Sequence, residues 1–244
     1  MRRSTIGRLA GVFTMLVVLG LVLTACGGGA GSVAGKSNAE LLKAAVANMK
    51  AAKSYHMSAD IQQGEESVQF EGDIDIANKR MKLDMTAGGH SISMIQIDDK
   101  AYLSLDGGVY YPEPPSGEAS DFDSLVKMWE DISPEDIDKA KDALKDGTPA
   151  TEQIDGVQTK HITGNAKDLQ ALSGEFVEVT DGTIDFWVTT DANPTIRQMS
   201  FQGKSDDKDM KALFKWSKIN EDMQIEPPAN SSSMGTAYTL PSNR

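Results

Sequence analysis

The sequence predicts an α+β fold in which three to four helices cover one face of an antiparallel sheet of about ten strands. Two observations support this prediction. Apolar residues recur with period two through two long blocks of the 244-residue chain, while helical stripes occur only before and between these blocks. Residues 37–228, which remain when the termini are set aside, are enough for one domain with a sizeable core.

The first 25 residues have the pattern of a secretory signal. Arg2, Arg3 and Arg8 precede an uncharged apolar run from Val12 to Leu23, which is too short to span the hydrocarbon of a bilayer. The run closes in a tetrapeptide that resembles the bacterial lipobox, formed by Leu23, Thr24, Ala25 and Cys26. The resemblance implies that residues 1–25 are removed and that Cys26 carries a diacylglyceryl group on the outer face of the cell membrane.

Two alternatives exist for this segment: an ordinary signal peptide followed by an accidental thiol, and an uncleaved anchor. Cys26 is the one cysteine of the chain and stands where the apolar run ends, which favours lipidation. A single cysteine also excludes an intramolecular disulfide.

The charge balance limits the partners of the chain. The net charge is −12, which argues against nucleic-acid binding and against attraction to anionic lipid headgroups. Membrane attachment must then come from acyl chains on Cys26. Residues 26–36 are mostly glycine, alanine and serine, a composition that predicts a flexible tether.

The first helix begins at a capping box formed by Ser37 and Glu40. Behind it Leu42, Ala45, Val46 and Met49 form an amphipathic stripe that predicts a helix ending near Lys53. Alternating apolar residues then predict a series of half-buried strands joined by hairpins, at 54–61, 68–76, 81–85, 92–97 and 101–105, with a short strand at 110–111.

Two helices are expected between the strand blocks. After a proline-rich loop over 112–120, the stripe from Phe122 to Trp129 predicts the first. Ser133 and Pro134 start the second, which we expect to run to Leu144 and to stop at Gly147. The second block predicts strands at 157–163, 184–190, 196–203 and 213–219, with a helical turn at 168–172 and a disordered tail over 229–244.

No motif in the sequence predicts catalysis, a metal site or a cofactor. His56, His90 and His161 are scattered without metal-ligand spacing, and no nucleophile elbow is present. What remains is an apolar sheet face rich in methionine, a residue that suits irregular apolar ligands. The candidate ligand-contacting residues on this face are Met57, Ile61, Phe70, Ile74, Met81, Leu83, Met85, Met94, Phe186, Met199, Phe201 and Trp216. The alternative is that they only fill the core beneath the helices.

Several stretches resemble the LppX/LprAFG lipoproteins of actinobacteria. Besides the lipobox and tether, the resemblance rests on residues 49–56, 155–164, 185–188, 215–220 and 225–228. It implies a half-barrel of the LolA/LolB kind, a curled antiparallel sheet with helices on its concave face around a hydrophobic cavity. It also implies binding and carriage of acylated lipids or glycolipids, with an envelope transporter as a partner. The acidity of this chain and its proline-rich loop depart from the family.

Three hypotheses follow. The first is a lipid-anchored protein that holds an acyl chain, lipid or glycolipid in a cavity, and the second is an envelope sensor or scaffold whose core is filled. The third, a hydrolase, requires a clustered catalytic site, for which the sequence offers no pattern.

Overall fold

The computed structural model describes residues 35–112, 128–169, 172, 181–205 and 208–231. The predicted signal peptide, residues 26–34 of the tether, residues 232–244 of the tail and almost all of the predicted 122–129 helix lie outside these ranges.

The described residues form one sheet and two short helices. Helix α1 spans Asn38–Lys50, and helix α2 spans Pro134–Ala140. The sheet has eleven strands: β1 Ser54–Gln63, β2 Glu66–Asp75, β3 Arg80–Ala87, β4 His90–Ile97, β5 Lys100–Leu105, β6 Tyr111–Pro112, β7 Lys145–Ile154, β8 Val157–Asn165, β9 Asp181–Thr189, β10 Ile196–Ser205 and β11 Lys208–Ser217.

The strand order is β6-β5-β4-β3-β2-β1-β11-β10-β9-β8-β7, and every ladder is antiparallel. The first and last strands are therefore neighbours at the centre, and two meanders run outward from them. In the described part of the chain β6 and β7 form the two edges and do not pair with each other, so the sheet is open. The predicted antiparallel sheet is thus confirmed.

The expected strand count of about ten was one short, because the sequence pattern did not predict β7. This strand has few apolar residues and contains Pro149, both of which suit an edge strand. Gly147 is correspondingly not the stop of a helix, since α2 ends at Ala140 and Gly147 lies within β7. The short strand expected at 110–111 lies instead at Tyr111–Pro112.

Helix α1 begins as its sequence predicts. The Glu40 backbone N–H donates to Ser37 Oγ (3.3 Å), and the Ser37 backbone N–H donates to Glu40 Oε2 (2.8 Å). The helix packs against β9 and β10 and also contacts α2, where Lys43 forms an ion pair with Asp138. It ends at Lys50 rather than near Lys53. Its buried residues are Ala39, Leu41, Leu42, Ala45, Val46 and Met49.

The capping box gives a direct stability prediction. Replacing Ser37 with alanine removes the acceptor for the Glu40 N–H, and we expect the free energy of unfolding to fall by about 1 kcal/mol in urea titrations. Ser67→Ala is the control, because Ser67 is an exposed serine near the start of β2 and caps no helix. Equal effects of the two substitutions would contradict the role of the cap.

The C-terminal segment crosses the outer face of the sheet, the face opposite α1. It is held first at β1, where Asn220 N–H donates to Ser54 O (2.9 Å), and then at β3, where Arg80 Nη1 donates to Ile225 O (3.4 Å). Its last described residue, Ser231, forms a parallel bridge with Tyr110. Contacts with the domain therefore extend past residue 228.

Candidate apolar binding face

The register of β1 to β5 produces one continuous apolar face. Alternate side chains of a strand point to the same face of a sheet, so residues paired across antiparallel strands share that face. Phe70 pairs with Met85, Met85 with Ile92, and Ile92 with Leu105, which makes one apolar row across β2 to β5. All the candidate residues from the sequence lie on this same face, which also receives α1.

Burial divides this face into two halves. In the deep half, Tyr55, Ile74 and Met81 form a row across β1, β2 and β3 and are inaccessible to solvent. In the other half the apolar side chains are half-buried, and Leu105 is 67% exposed. We call this second set the open strip, and it consists of Ile61, Val68, Phe70, Leu83, Met85, Ile92, Leu103 and Leu105.

The deep half is a packed hydrophobic core. Trp129 lies over Trp216, with ring centroids 4.9 Å apart, and Trp216 stacks with Phe214 at 6.1 Å. Burial raises the pKa of Tyr55, so its phenol stays neutral. The candidate residues in this core are Met57, Ile74, Met81, Met94, Phe186, Met199, Phe201 and Trp216.

The open strip is continuous with that core. The Phe70 ring meets Phe214 edge-on at 6.4 Å, and Ile61 and Leu83 also pack against the buried cluster. These three residues and Met85 are the candidates from the sequence that remain half-exposed. A ligand on the strip would therefore extend an apolar surface that already exists.

Four members of the open strip were missing from the sequence-based candidates: Val68, Ile92, Leu103 and Leu105. The alternation in their strands predicts which face they share, so the signal was present. Their exposure was not predictable from the same pattern, because exposure depends on which distant segments cover each strand.

Around β1, β2, β3 and β11 the outer face of the sheet is mainly polar. A groove of about 390 Å³ there is lined mainly by polar and charged residues of β1, β2, β3 and β11, among them Asp60, Gln69, Glu71, Asp84 and Lys215. A second groove, of about 380 Å³, lies at the ends of β9, β10 and β11 and is lined by Asp181, Gln202, Lys204 and their neighbours. Both grooves carry charged side chains along their walls.

The histidines lie on separate strands, and each meets a carboxylate. His56 on β1 contacts Asp73 through Nδ1 (2.7 Å) and Glu71 through Nε2 (3.3 Å). His90 on β4 lies 3.5 Å from Asp106. Within the described ranges, no group of three or more metal-ligating side chains is placed to hold a metal ion.

His161 holds edge strand β7 to the sheet. Its Nε2 lies 2.9 Å from Asp185 Oδ1, its Nδ1 lies 3.3 Å from Pro149 O, and its ring stacks on Trp187 at 4.4 Å. The Trp187 indole N–H donates to Glu152 of β7, and Trp187 pairs with His161 on the outer face of the sheet. Both ring nitrogens of His161 therefore contact oxygen atoms of the same domain.

The contact between His161 and β7 predicts a mutational coupling. A Cβ on Gly147 would stand 2.2 Å from His161 Nδ1, so Gly147→Ala should lower the free energy of unfolding by about 1–3 kcal/mol. In a His161→Ala background the clashing ring is gone, and the penalty should largely disappear. Urea unfolding of the four proteins in this cycle measures the coupling, and an unchanged penalty would contradict the assigned contact.

Neither helix in the described residues is long and apolar enough to cross a membrane.

Comparison with known proteins identifies the fold. No protein-family model matches the sequence, and no curated protein matches it. The lipoprotein LppX of Mycobacterium tuberculosis is similar in structure, with a TM-score of 0.51 and 14% sequence identity over 77% of this chain and 97% of LppX.

Two further structures are more distant. An uncharacterized conserved protein of Thermus thermophilus has a TM-score of 0.35 and 10% identity, over 80% of this chain and 96% of its own. MucB, in its complex with MucA(peri), has a TM-score of 0.33 and 7% identity, over 79% of this chain and 59% of its own. The likeness to LppX confirms the resemblance at the level of fold: this chain has an LppX-like open antiparallel sheet.

Proposed function

We propose that this chain is a lipid-anchored envelope protein that binds an acyl chain of a lipid or glycolipid along the open strip and carries or presents it. The observation that carries the proposal is the strip itself, a half-buried apolar row that continues the buried face of the same sheet and ends at the exposed Leu105. Covering such a surface with hydrocarbon is favourable by roughly 25 cal/mol per Å² of apolar area removed from water.

The proposal includes the anchor and the shape of the domain. Cys26 carries the lipid after residues 1–25 are removed, and residues 26–36 link it to a domain that begins at Ser37. In this proposal the sheet curls into a half-barrel with α1 on its concave side, so that the open strip becomes one wall of the ligand cavity. An envelope transporter is the partner that such a carrier would serve.

A sensor or scaffold with a filled core is the second candidate. The complete burial of Met57, Met81 and Trp216 favours it for the deep half, where the packed side chains leave these residues inaccessible to solvent. The two candidates differ in the open strip, which a scaffold would cover with a protein partner and a carrier with lipid.

Native mass spectrometry of the processed protein, extracted with its anchor, tests the proposal. We expect a near-stoichiometric lipid in addition to the lipid bound covalently to Cys26. Met85→Glu places a charge within the strip and should remove most of that lipid, because a carboxylate beside hydrocarbon is costly. Thr86→Glu is the matched control, since the adjacent exposed residue points to the outer face.

Three results would overturn the proposal. One is a wild-type protein that carries no lipid beyond its anchor. The second is equal lipid retention by the Met85 and Thr86 variants, and the third is lipid loss in the Thr86 variant alone, which would assign binding to the outer groove.

A further inference from the structure

The exposed large apolar side chains of the described residues are concentrated in one hairpin. Leu105, Val109 and Tyr111 are exposed by 67%, 41% and 39%. Leu105 ends β5, Tyr111 begins the edge strand β6, and Val109 lies in the connection between them. Grouped apolar exposure of this kind marks an interaction surface more often than scattered single residues do. We call residues 105–111 the edge hairpin.

The edge hairpin lies at the same end of the strands as the start of α1, although the hairpin is at the β6 edge of the sheet and the start of α1 is near the β7 edge. The Asn38 side chain, at the start of α1, donates to Leu144 O (3.4 Å), next to the start of β7. The start of β7 pairs with the end of β8, because Lys145 is opposite Thr163. The antiparallel pairing of each strand with the next shows which turns lie at this end of the strands. They include the turns at 63–66, 87–90 and 105–111.

The other end of α1 points to the opposite end of the strands. The Asn48 side chain donates to Pro194 O (2.7 Å) in the turn between β9 and β10. The turn between β4 and β5, at Asp98 and Asp99, also lies at that opposite end. The helix therefore runs from the end that holds the edge hairpin to the end that does not.

The tether limits how far this end can be from a membrane. From Cys26 to Ser37 the chain has about eleven residues, which span at most about 40 Å when fully extended. A lipid on Cys26 would hold the start of α1 within that distance of the bilayer, and the edge hairpin lies at the same end of the strands.

Charge selects the kind of surface that the hairpin fits. Its one acidic residue, Asp106, lies beside His90, and no lysine or arginine occurs between residues 101 and 112. A basic cluster that would attract anionic headgroups is therefore missing from the hairpin, whereas three exposed apolar side chains suit the boundary between headgroups and hydrocarbon.

We propose that the edge hairpin contacts the bilayer to which Cys26 is anchored, with Leu105 and Val109 at the hydrocarbon boundary. Leu105 also belongs to the open strip, so this contact joins the bilayer to the strip; that second step rests on the proposed function. A lipid leaving the membrane would then meet apolar side chains continuously from Leu105 through Ile92 to Met85.

A fluorescent label at position 109 tests the contact in the anchored protein. Val109→Cys, labelled with an environment-sensitive dye, is reconstituted in phosphatidylcholine vesicles that contain lipids brominated in their acyl chains. Lipidation blocks the Cys26 thiol, so the dye reacts at the introduced cysteine. Asp99→Cys with the same dye is the control, because Asp99 is exposed in the turn at the opposite end of the strands.

We expect a blue shift and loss of emission at position 109 and water-like, unquenched emission at position 99. Equal emission at both positions, with the protein still floating with the vesicles, would overturn the proposal. The emission at position 109 does not depend on a bound ligand. A protein that carries no lipid would refute the proposed function, and the emission would still decide whether the edge hairpin contacts the bilayer. Stronger quenching at 99 than at 109 would place the opposite end against the bilayer and would also overturn it.

Discussion

Replacing Cys26 with alanine should move the protein from the membrane fraction to the soluble fraction. The chain has no other cysteine to acylate, and its net charge of −12 gives no attraction to anionic lipid. Each buried acyl methylene contributes about 0.8 kcal/mol to membrane binding, so losing the anchor removes most of the affinity. Immunoblots of fractionated cells that express the full chain measure the distribution.

Ser32→Ala is the control for this experiment, because it changes a tether residue and leaves the lipobox intact. We expect it to stay in the membrane fraction. Persistent membrane fractionation of the Cys26 variant, resistant to high salt, would refute lipid anchoring. The edge hairpin alone would not explain such a result, since a small exposed apolar contact gives only weak and reversible binding.

Met81→Ala and Met85→Ala should have very different effects on stability. The two methionines lie on the same face of β3, four residues apart, but Met81 is fully buried and Met85 is half-exposed. Truncating the buried one leaves a cavity in the core and should cost about 2–5 kcal/mol of unfolding free energy. Truncating the half-buried Met85 should cost less than about 1 kcal/mol.

Urea unfolding measures this difference. Lipid retention should show the opposite order, with more lipid lost from the Met85 variant than from the Met81 variant. Met85→Ala removes a proposed ligand contact, whereas Met81→Ala leaves the open strip unchanged in the molecules that remain folded. Similar stability losses would mean that Met85 is as well covered as Met81 and that the strip is not open.

Local signals in the sequence predicted most of the fold. The capping box of Ser37 and Glu40 gave the start of α1, because its partners are three residues apart. The meander from β1 to β5 followed from alternation and turn residues, since a hairpin brings sequence neighbours together. Each of these elements depends on contacts over short separations.

Long-range contacts account for what the sequence did not predict. Strand β7 has few apolar residues, and its contacts are with His161 and Trp187 on other strands. Its own sequence therefore has no apolar alternation that would predict a strand. The pairing of β1 with β11 joins residues more than a hundred positions apart, and no local pattern encodes it. The same reason applies to the candidate site, where alternation predicted the face of Phe70 and Met85 but not their exposure.

Photo-crosslinking with a fatty acid that carries a diazirine in its chain tests the central claim most directly. After irradiation of the anchored protein, peptide mapping should find the probe on β2 to β5, at residues that flank Phe70, Met85 and Ile92, and excess unlabelled fatty acid should compete with it. Crosslinks confined to the outer face around Asp60 and Lys215, or labelling that no competitor reduces, would contradict binding along the open strip.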